Sequence, residues 1–261
     1  MSSKKTGLDD EINRLASQAR NTFNVSTGIR ILKRKAFKNV VRDPQRGGTY
    51  KYSQDCIFIN RSVVRSYGKS HLKWVIFHEF GHAFLARVFA EHKFLPIIFY
   101  DATVEDEIMQ HGIRHIWDGL CDYLVNDFIT TKHGLKKFDQ TLEQTIDELS
   151  NELTSGMCFH LYDYWKHGRN NKIAQKAKKR IPPRILNLLE HELSPIPLDN
   201  PIDRIVRLLE TIAGEFFQVK IQCQTMLKMA LEKNAGITLP KFWGRENTNI
   251  RVLVVFAHAH S

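Results

Sequence analysis

The chain has 261 residues, of which 43% are hydrophobic and 10% aromatic, so its composition excludes an intrinsically disordered or fibrous protein. Its net charge of +10 is compatible with attraction to nucleic acid, to an anionic membrane or to an acidic protein. No signal peptide precedes the charged segment at 9–11, and no apolar run approaches the roughly 20 residues of a membrane span. The four cysteines form no C-x-x-C pair, so we expect free thiols and a cytoplasmic protein without a membrane partner.

Hydrophobic periodicity predicts a mixture of helices and strands along the first half of the chain. In chain order these are a helix at 8–23, a strand at 28–32, a turn around 43–48, short strands at 50–52 and 56–60, and helices at 70–93 and 104–130. Gly134 is expected to end this part, and residues 138–261 are expected to be mainly helical. We therefore predict an α+β fold, with one domain at 1–135 and a helical region of unknown role at 136–261.

The helix predicted at 70–93 contains the sequence His78-Glu-Phe-Gly-His82, which has the H-E-x-x-H pattern of zinc hydrolases. Side chains four residues apart lie on one face of a helix, so His78 and His82 can bind the same metal ion. Glu79 lies about 100° around the helix from His78. It is therefore close to the metal without being a ligand, and it can act as a general base. Large apolar residues flank the motif on both sides, which favours a packed helix over a solvated one.

Gly81 lies inside this helix, where glycine costs about 1 kcal/mol relative to alanine. A residue without a side chain beside two metal ligands allows another backbone, or a substrate, to approach closely. We expect such an approach at Gly81.

A catalytic zinc ion usually has three protein ligands and a water molecule, so the two histidines require a further ligand. The helix predicted at 104–130 has a narrow polar stripe opposite an apolar side. This stripe consists of His111, His115, Asp118, Asp122 and Asn126. A carboxylate or an imidazole from the stripe can complete the site.

These motifs resemble the core of the zincin metallopeptidases, in which an edge strand precedes the H-E-x-x-H helix. The strand Cys56-Ile-Phe-Ile-Asn60 corresponds to that edge strand. The segment Asp118-Gly-Leu-Cys-Asp122-Tyr-Leu-Val-Asn126 is similar to the second active-site helix of the gluzincin branch. The resemblance covers about residues 8–130. It implies a zincin-like domain with a small antiparallel or mixed sheet and two active-site helices.

Carried over by position, the resemblance implies that Asp118 is the third metal ligand and that Asp122 hydrogen-bonds a ligand histidine. The gluzincin branch normally has glutamate at the position of Asp118, and the shorter aspartate requires the two helices to lie closer together. Asp122 is therefore an alternative third ligand. His115 or His111 is another, because imidazole also suits zinc.

The resemblance further implies that the chain hydrolyses peptide bonds, with Zn²⁺ as cofactor and a peptide or protein as substrate. In that reaction a metal-bound water, activated by Glu79, attacks the amide carbonyl. One alternative is a zincin-like binding or regulatory module with little catalysis. Another is a protease acting on proteins associated with nucleic acid, which the chain would bind through basic clusters at 33–46 and 172–184.

A separate aromatic segment contains His160, Tyr162, Tyr164 and His167. Zincin sites often use a tyrosine or histidine to stabilise an oxyanion. The composition of this segment nevertheless favours an aromatic packing face with surface histidines.

Overall fold

The computed structural model describes residues 7–41, 45–102, 104, 106–135, 157–168, 171–193, 202–243 and 249–257. Its elements in the first half are α1 (Leu8–Phe23), β1 (Gly28–Leu32), α2 (Arg34–Lys38), β2 (Gly48–Lys51), β3 (Cys56–Asn60), α3 (Arg61–Val64), α4 (Lys69–Glu91), β4 (Phe94–Tyr100) and α5 (Glu107–His133). The second half contributes α6 (Met157–His167), α7 (Asn171–Arg180), α8 (Pro183–Glu192), α9 (Ile202–Phe217), β5 (Val219–Leu227), α10 (Lys228–Asn234) and β6 (Asn249–Ala257). The chain has an α+β fold with two small mixed sheets.

The first sheet has the strand order β1-β3-β2, with β3 parallel to β1 and antiparallel to β2. All five residues of β3 are buried. The strand Cys56–Asn60 is therefore the middle strand of this sheet, and the expectation that it forms an edge is wrong. The two edge strands are β1 and β2, and β2 pairs Gly48 with Ile59 and Tyr50 with Ile57.

The second sheet has the order β4-β6-β5 and joins the two halves of the chain. Strand β4 lies in the first half and pairs in parallel with β6 from the C-terminal part. Strands β5 and β6 lie in the region for which we predicted mainly helix. The middle strand β6 contains the run Val252–Val255, which is buried on both faces. Such a run lacks the alternation that distinguishes a strand from a buried helix, so periodicity could not identify it.

Helix α4 lies between two hydrophobic clusters, which explains the apolar residues on both sides of its motif. Leu72, Ile76 and Phe80 pack against α1 and the first sheet. Leu85 and Phe89 belong to a larger cluster with α5 and the helices that follow. With apolar contacts on two faces, α4 has little freedom to rotate about its axis, so the direction of its polar side chains is well defined.

Helix α5 is terminated by local signals at both ends. Its N-cap, Asp106, accepts hydrogen bonds from the backbone N–H groups of Ile108 and Met109. Gly134 follows the last turn at a φ of 63°, the left-handed conformation that favours glycine. Ile113, Ile116 and Leu120 are fully buried in a cluster with residues of α6 and α9. On the polar stripe, Asp122 and Asn126 contact the histidines of α4.

Candidate metal centre

His78 and His82 lie one helical turn apart on the same face of α4, as the motif predicts. Their rings meet edge to face at an interplanar angle of 87°, and the two Nε2 atoms are 3.0 Å apart. The face of the Trp74 ring stacks on His78 with 4.8 Å between ring centroids. Both imidazoles therefore present the same type of nitrogen to one point in space.

Asp122 of α5 completes a triangle with these histidines. Its Oδ1 atom lies 3.0 Å from Nε2 of His82 and 3.5 Å from Nε2 of His78. Ligand atoms placed tetrahedrally around zinc at bond lengths of about 2.0–2.1 Å are separated by about 3.3 Å. The donor set of two imidazoles and a carboxylate, and the size of the triangle, therefore fit a zinc ion. Within the described residues, this is the group of three potential ligands whose atoms converge.

The closeness of α4 and α5 at this point depends on Gly81. A Cβ atom added at Gly81 would lie 2.5 Å from Cγ1 of Val125, well inside van der Waals contact. A group does approach closely at this glycine, but it is the side chain of Val125 from the neighbouring helix and not the backbone or substrate expected from the sequence. This close approach allows the short Asp122 side chain to reach the histidines of α4.

The electrostatics of the cluster reflect a buried negative charge shared by two imidazoles. Burial alone would raise the pKa of Asp122, but its hydrogen bonds to His78 and His82 lower that pKa well below its ordinary value. Burial alone would lower the pKa of His78, but Asp122, Glu79 and Asn126 together raise it. The carboxylate is therefore ionised at neutral pH, which is the form that binds a cation.

The other ring nitrogen of His78 is held by Asn126. The His78 Nδ1–H group donates to Oδ1 of Asn126 across 2.8 Å. A hydrogen bond at Nδ1 leaves the lone pair of Nε2 directed at the triangle, which is the arrangement a metal-binding histidine needs. Asn126 follows Asp122 by four residues and is almost fully buried.

Behind Asn126, a chain of hydrogen bonds continues into α6. The Nδ2–H group of Asn126 donates to Oδ2 of Asp163 across 2.6 Å. His167 donates from Nδ1 to Oδ1 of Asp163 across 2.9 Å and from Nε2 to Oδ1 of Asp127 across 3.0 Å. Burial alone would lower the pKa of His167, but these two carboxylates raise it to about 9. The ring is therefore an imidazolium at neutral pH.

Glu79 is only 8% exposed and lies against β2, an edge strand of the first sheet. A Cβ atom added at Gly48 of β2 would lie 3.0 Å from Cγ of Glu79 and 3.3 Å from its Oε1. The absence of a side chain at Gly48 thus leaves room for the Glu79 carboxylate beside the histidines. The candidate base, the imidazoles and a strand edge therefore adjoin one another.

Asp118, the preferred third ligand from the sequence, is not part of the converging group. It is exposed on α5, one turn before Asp122. The geometry instead favours the alternative, Asp122, whose carboxylate points at the Nε2 atoms of both histidines. The role of holding Nδ1 of a ligand histidine then passes from Asp122 to Asn126. The expected pair was Asp118 and Asp122, and the observed pair is Asp122 and Asn126. Both pairs have a spacing of four residues, and the observed one lies one helical turn further along α5.

His115 and His111 also lie outside the group. They form an exposed pair on α5, in which the two Nε2 atoms are 2.8 Å apart. Both lie in the N-terminal half of α5, before Asp122, whereas the converging ligand atoms belong to His78, His82 and Asp122. Neither imidazole supplies the third corner of the triangle.

The sequence does not reveal the roles of three residues of the site, namely Asn126, Asp163 and His167. Asn126 was in the polar stripe, and its spacing from Asp122 was the available signal. Tyr162 and Tyr164 are packed in the core as predicted, but His167, expected at the surface, is 8% exposed at its side chain. The i,i+4 spacing of Asp163 and His167 in α6 was a weak signal, because many surface pairs have it.

Both basic clusters have side chains exposed on the surface. In the first cluster, Lys33, Arg34 and Lys35 are exposed around the start of α2; in the second, Lys172 and Lys179 are exposed on α7. None of the helices in the described parts of the chain combines the length and apolar character needed to cross a membrane.

Comparisons with protein-family models, curated proteins and solved structures produced no match to this chain. The case for a function therefore depends on the residues of the site and on the resemblance of its motifs.

Proposed function

We propose that the chain is a zinc-dependent metallopeptidase in which His78, His82 and Asp122 bind the metal and Glu79 is the general base. The observation that carries this proposal is the convergence of three ligand atoms, from two helices, beside a buried glutamate of the H-E-x-x-H motif. Peptides as the substrate class come from the resemblance to zincins.

Zinc, when bound, supplies a Lewis acid that polarises a carbonyl oxygen and lowers the pKa of a water molecule. The chain supplies the remaining functions. His78 and His82 bind through neutral imidazoles, whereas Asp122 contributes one negative charge. Glu79 takes a proton from the attacking water, whose oxygen bonds to the amide carbon, and delivers it to the departing amine as the C–N bond breaks.

The unpaired edge of β2 supports an extended peptide as substrate. In the described part of the chain, β2 pairs only with β3, so the backbone groups on its other side face away from the sheet. An extended peptide can add to such an edge through main-chain hydrogen bonds. Because Gly48 lies against Glu79, a peptide added there would pass next to the candidate base.

Two substitutions separate the base from the ligands. Glu79→Gln should lower kcat on a cleaved peptide by at least about 100-fold, because an amide cannot accept the proton, while bound zinc stays near wild type. Asp122→Asn should lower bound zinc and activity together. The measurements are zinc content after dialysis and hydrolysis of a fluorogenic peptide library.

Asp118→Asn is the matched control, since it makes the same chemical change one turn away. We expect it to retain zinc. Loss of zinc with Asp118→Asn but not with Asp122→Asn would contradict the assigned ligand. A zinc-bound wild-type protein that cleaves no member of a broad library would instead favour a binding or regulatory module.

A further inference from the structure

Asn126 holds Nδ1 of the proposed ligand His78, but its side-chain amide can be oriented in two ways. A carboxylate at this position could only accept a hydrogen bond from His78. An amide can accept through its oxygen or, if rotated by 180°, donate through its nitrogen. In the rotated form, Nδ1 of His78 would be the acceptor and its proton would move to Nε2. That nitrogen would then have no lone pair for a metal.

The buried carboxylate of Asp163 removes this ambiguity. Asp163 is 1% exposed and its ionised carboxylate can only accept hydrogen bonds. It accepts one from Nδ2 of Asn126, which forces the amide nitrogen toward Asp163 and the amide oxygen toward His78. The negative charge of Asp163 therefore fixes the donor and the acceptor both in its bond with Asn126 and in the bond between Asn126 and His78.

His167 keeps that carboxylate ionised in a buried place. Both of its ring nitrogens face carboxylate oxygens, Asp163 at 2.9 Å and Asp127 at 3.0 Å, so both must carry protons. The resulting cation offsets the cost of burying the negative charge of Asp163.

We propose that Asp163 and His167 are positioning residues that lock the orientation of the Asn126 amide and thereby hold His78 as the Nδ1–H tautomer, whose Nε2 can bind a metal ion. This inference rests on the proposed function in one respect, the role of His78 as a ligand. It assigns a task to α6, which lies in the part of the chain for which the sequence indicated no role.

The first test is the tautomer of His78 in metal-free protein. In the ¹⁵N-labelled full chain with chelator present, long-range ¹H–¹⁵N correlation spectra distinguish a proton on Nδ1 from one on Nε2. The signals of His78 are assigned by their loss in His78→Gln. At a pH where His78 is neutral, we expect the proton on Nδ1. A proton on Nε2 in the wild-type protein would overturn the inference without any variant.

The second test exchanges the amide and the carboxylate. In Asp163→Asn, the partner of Asn126 can both donate and accept, so the lock is lost. We expect His78 signals from both tautomers and a zinc affinity lowered by about 10–100-fold.

In the double variant Asn126→Asp with Asp163→Asn, the carboxylate at position 126 again can only accept. We expect the Nδ1–H tautomer and a zinc affinity within about threefold of wild type.

A role in packing alone predicts a different result, because two disruptive changes in the hydrogen-bond chain that ends at His78 would then weaken zinc binding at least as much as one. A double variant no better than Asp163→Asn would therefore overturn the inference. Asp127→Asn is the control: it weakens the contact to His167 but leaves the bond between Asn126 and Asp163 in place. We expect the His78 tautomer to be unchanged in Asp127→Asn. A mixture of His78 tautomers as large as in Asp163→Asn would also overturn the inference.

The proposed function can fail separately. The tautomer measurement needs neither zinc nor a substrate, so a locked His78 in a protein that hydrolyses no peptide would contradict the peptidase and leave the lock standing. Conversely, hydrolysis that persists with a tautomer mixture in the wild-type protein would contradict the lock alone.

Discussion

His78 is held on three sides of its ring. Nε2 points at His82 and Asp122, Nδ1 donates to Asn126, and Trp74 covers one face. A side chain so restricted has lost its rotamer freedom on folding, so little of that entropy is left to lose when a metal binds. At the residue scale, the site is therefore organised before any ligand arrives.

Gly48 tests whether the position of Glu79 matters for catalysis. In Gly48→Ala, the new methyl group would lie 3.0 Å from Cγ of Glu79, so the glutamate must shift by a few tenths of an ångström or more. We expect kcat to fall about tenfold or more while zinc content is retained, because a displaced base is poorly aligned with its proton. Gly68→Ala is the control, since no atom lies within 4 Å of its added Cβ. Full activity of Gly48→Ala would show that Glu79 does not depend on this contact.

His167 should make the stability of the metal-free protein depend on pH. Its pKa is raised from 6.5 to about 9 in the folded state, so the folded protein binds more protons than the unfolded chain between these values. The stabilisation, on the order of 3 kcal/mol, is fully present below about pH 6.5 and is lost as pH rises through about 9. Urea unfolding in chelator across this window measures it.

His167→Gln should remove most of this slope. The control is His191→Gln, because His191 is exposed on α8 and lies beside the neighbouring Glu192, with 3.3 Å between Nδ1 and Oε1. An equally steep loss of stability with pH in His167→Gln would show that another group is responsible.

At the scale of elements, the crossing of α4 and α5 decides which carboxylate meets the histidines. Asp118 and Asp122 lie on the same stripe of α5 and differ by one turn, which is about 6 Å along the helix. Helical periodicity places both carboxylates on the same face of α5, so it cannot decide which of them meets the histidines. The contact of Gly81 with Val125 sets the translation of one helix along the other, and this brings Asp122 opposite His82.

Gly81→Ala should therefore weaken both the fold and the metal site. Overpacking against Val125 costs about 1–3 kcal/mol, and the better helix propensity of alanine offsets up to about 1 kcal/mol of that. We expect a net loss of stability and a lower zinc affinity, because the helices must separate. Urea unfolding and zinc titration measure the two effects.

Val125→Ala tests whether overpacking against Val125 causes these losses, since it removes the methyl groups that the new Cβ at position 81 would meet. In a double-mutant cycle, Gly81→Ala should be less costly in the Val125→Ala background than in the wild type. Simple additivity of the two free energies would mean that this contact does not limit the approach of the helices.

At the scale of the whole molecule, the two predicted parts of the chain share a core. Ile113, Ile116 and Leu120 of α5 are fully buried in one cluster with Phe159 of α6 and Ile212 of α9. Each large apolar side chain that loses such burial costs about 1.5–3 kcal/mol. Helix α5, which carries Asp122, therefore depends on elements that follow the predicted boundary at 135.

A chain ending at residue 135 should not fold alone. It would expose the apolar side of α5, and it would leave β4 without its partner β6. We expect aggregation or the absence of a cooperative thermal transition in calorimetry. A chain ending at residue 257, which keeps every described strand and helix, is the control and should unfold like the full chain. Cooperative unfolding of residues 1–135 with bound zinc would instead support an independent domain.

The sequence by itself determined the features that depend on neighbours within a few residues. The helices at 8–23 and 70–93, the strands at 28–32 and 56–60, the end of α5 at Gly134 and the pairing of His78 with His82 all follow from spacing along one element. Only the tertiary structure decided the third corner of the triangle, the middle position of β3 and the contact of Asn126 with Asp163, 37 residues away. The physical reason is that these features depend on how helices are translated and strands are ordered by packing, and many sequences with the same periodicity are compatible with either outcome.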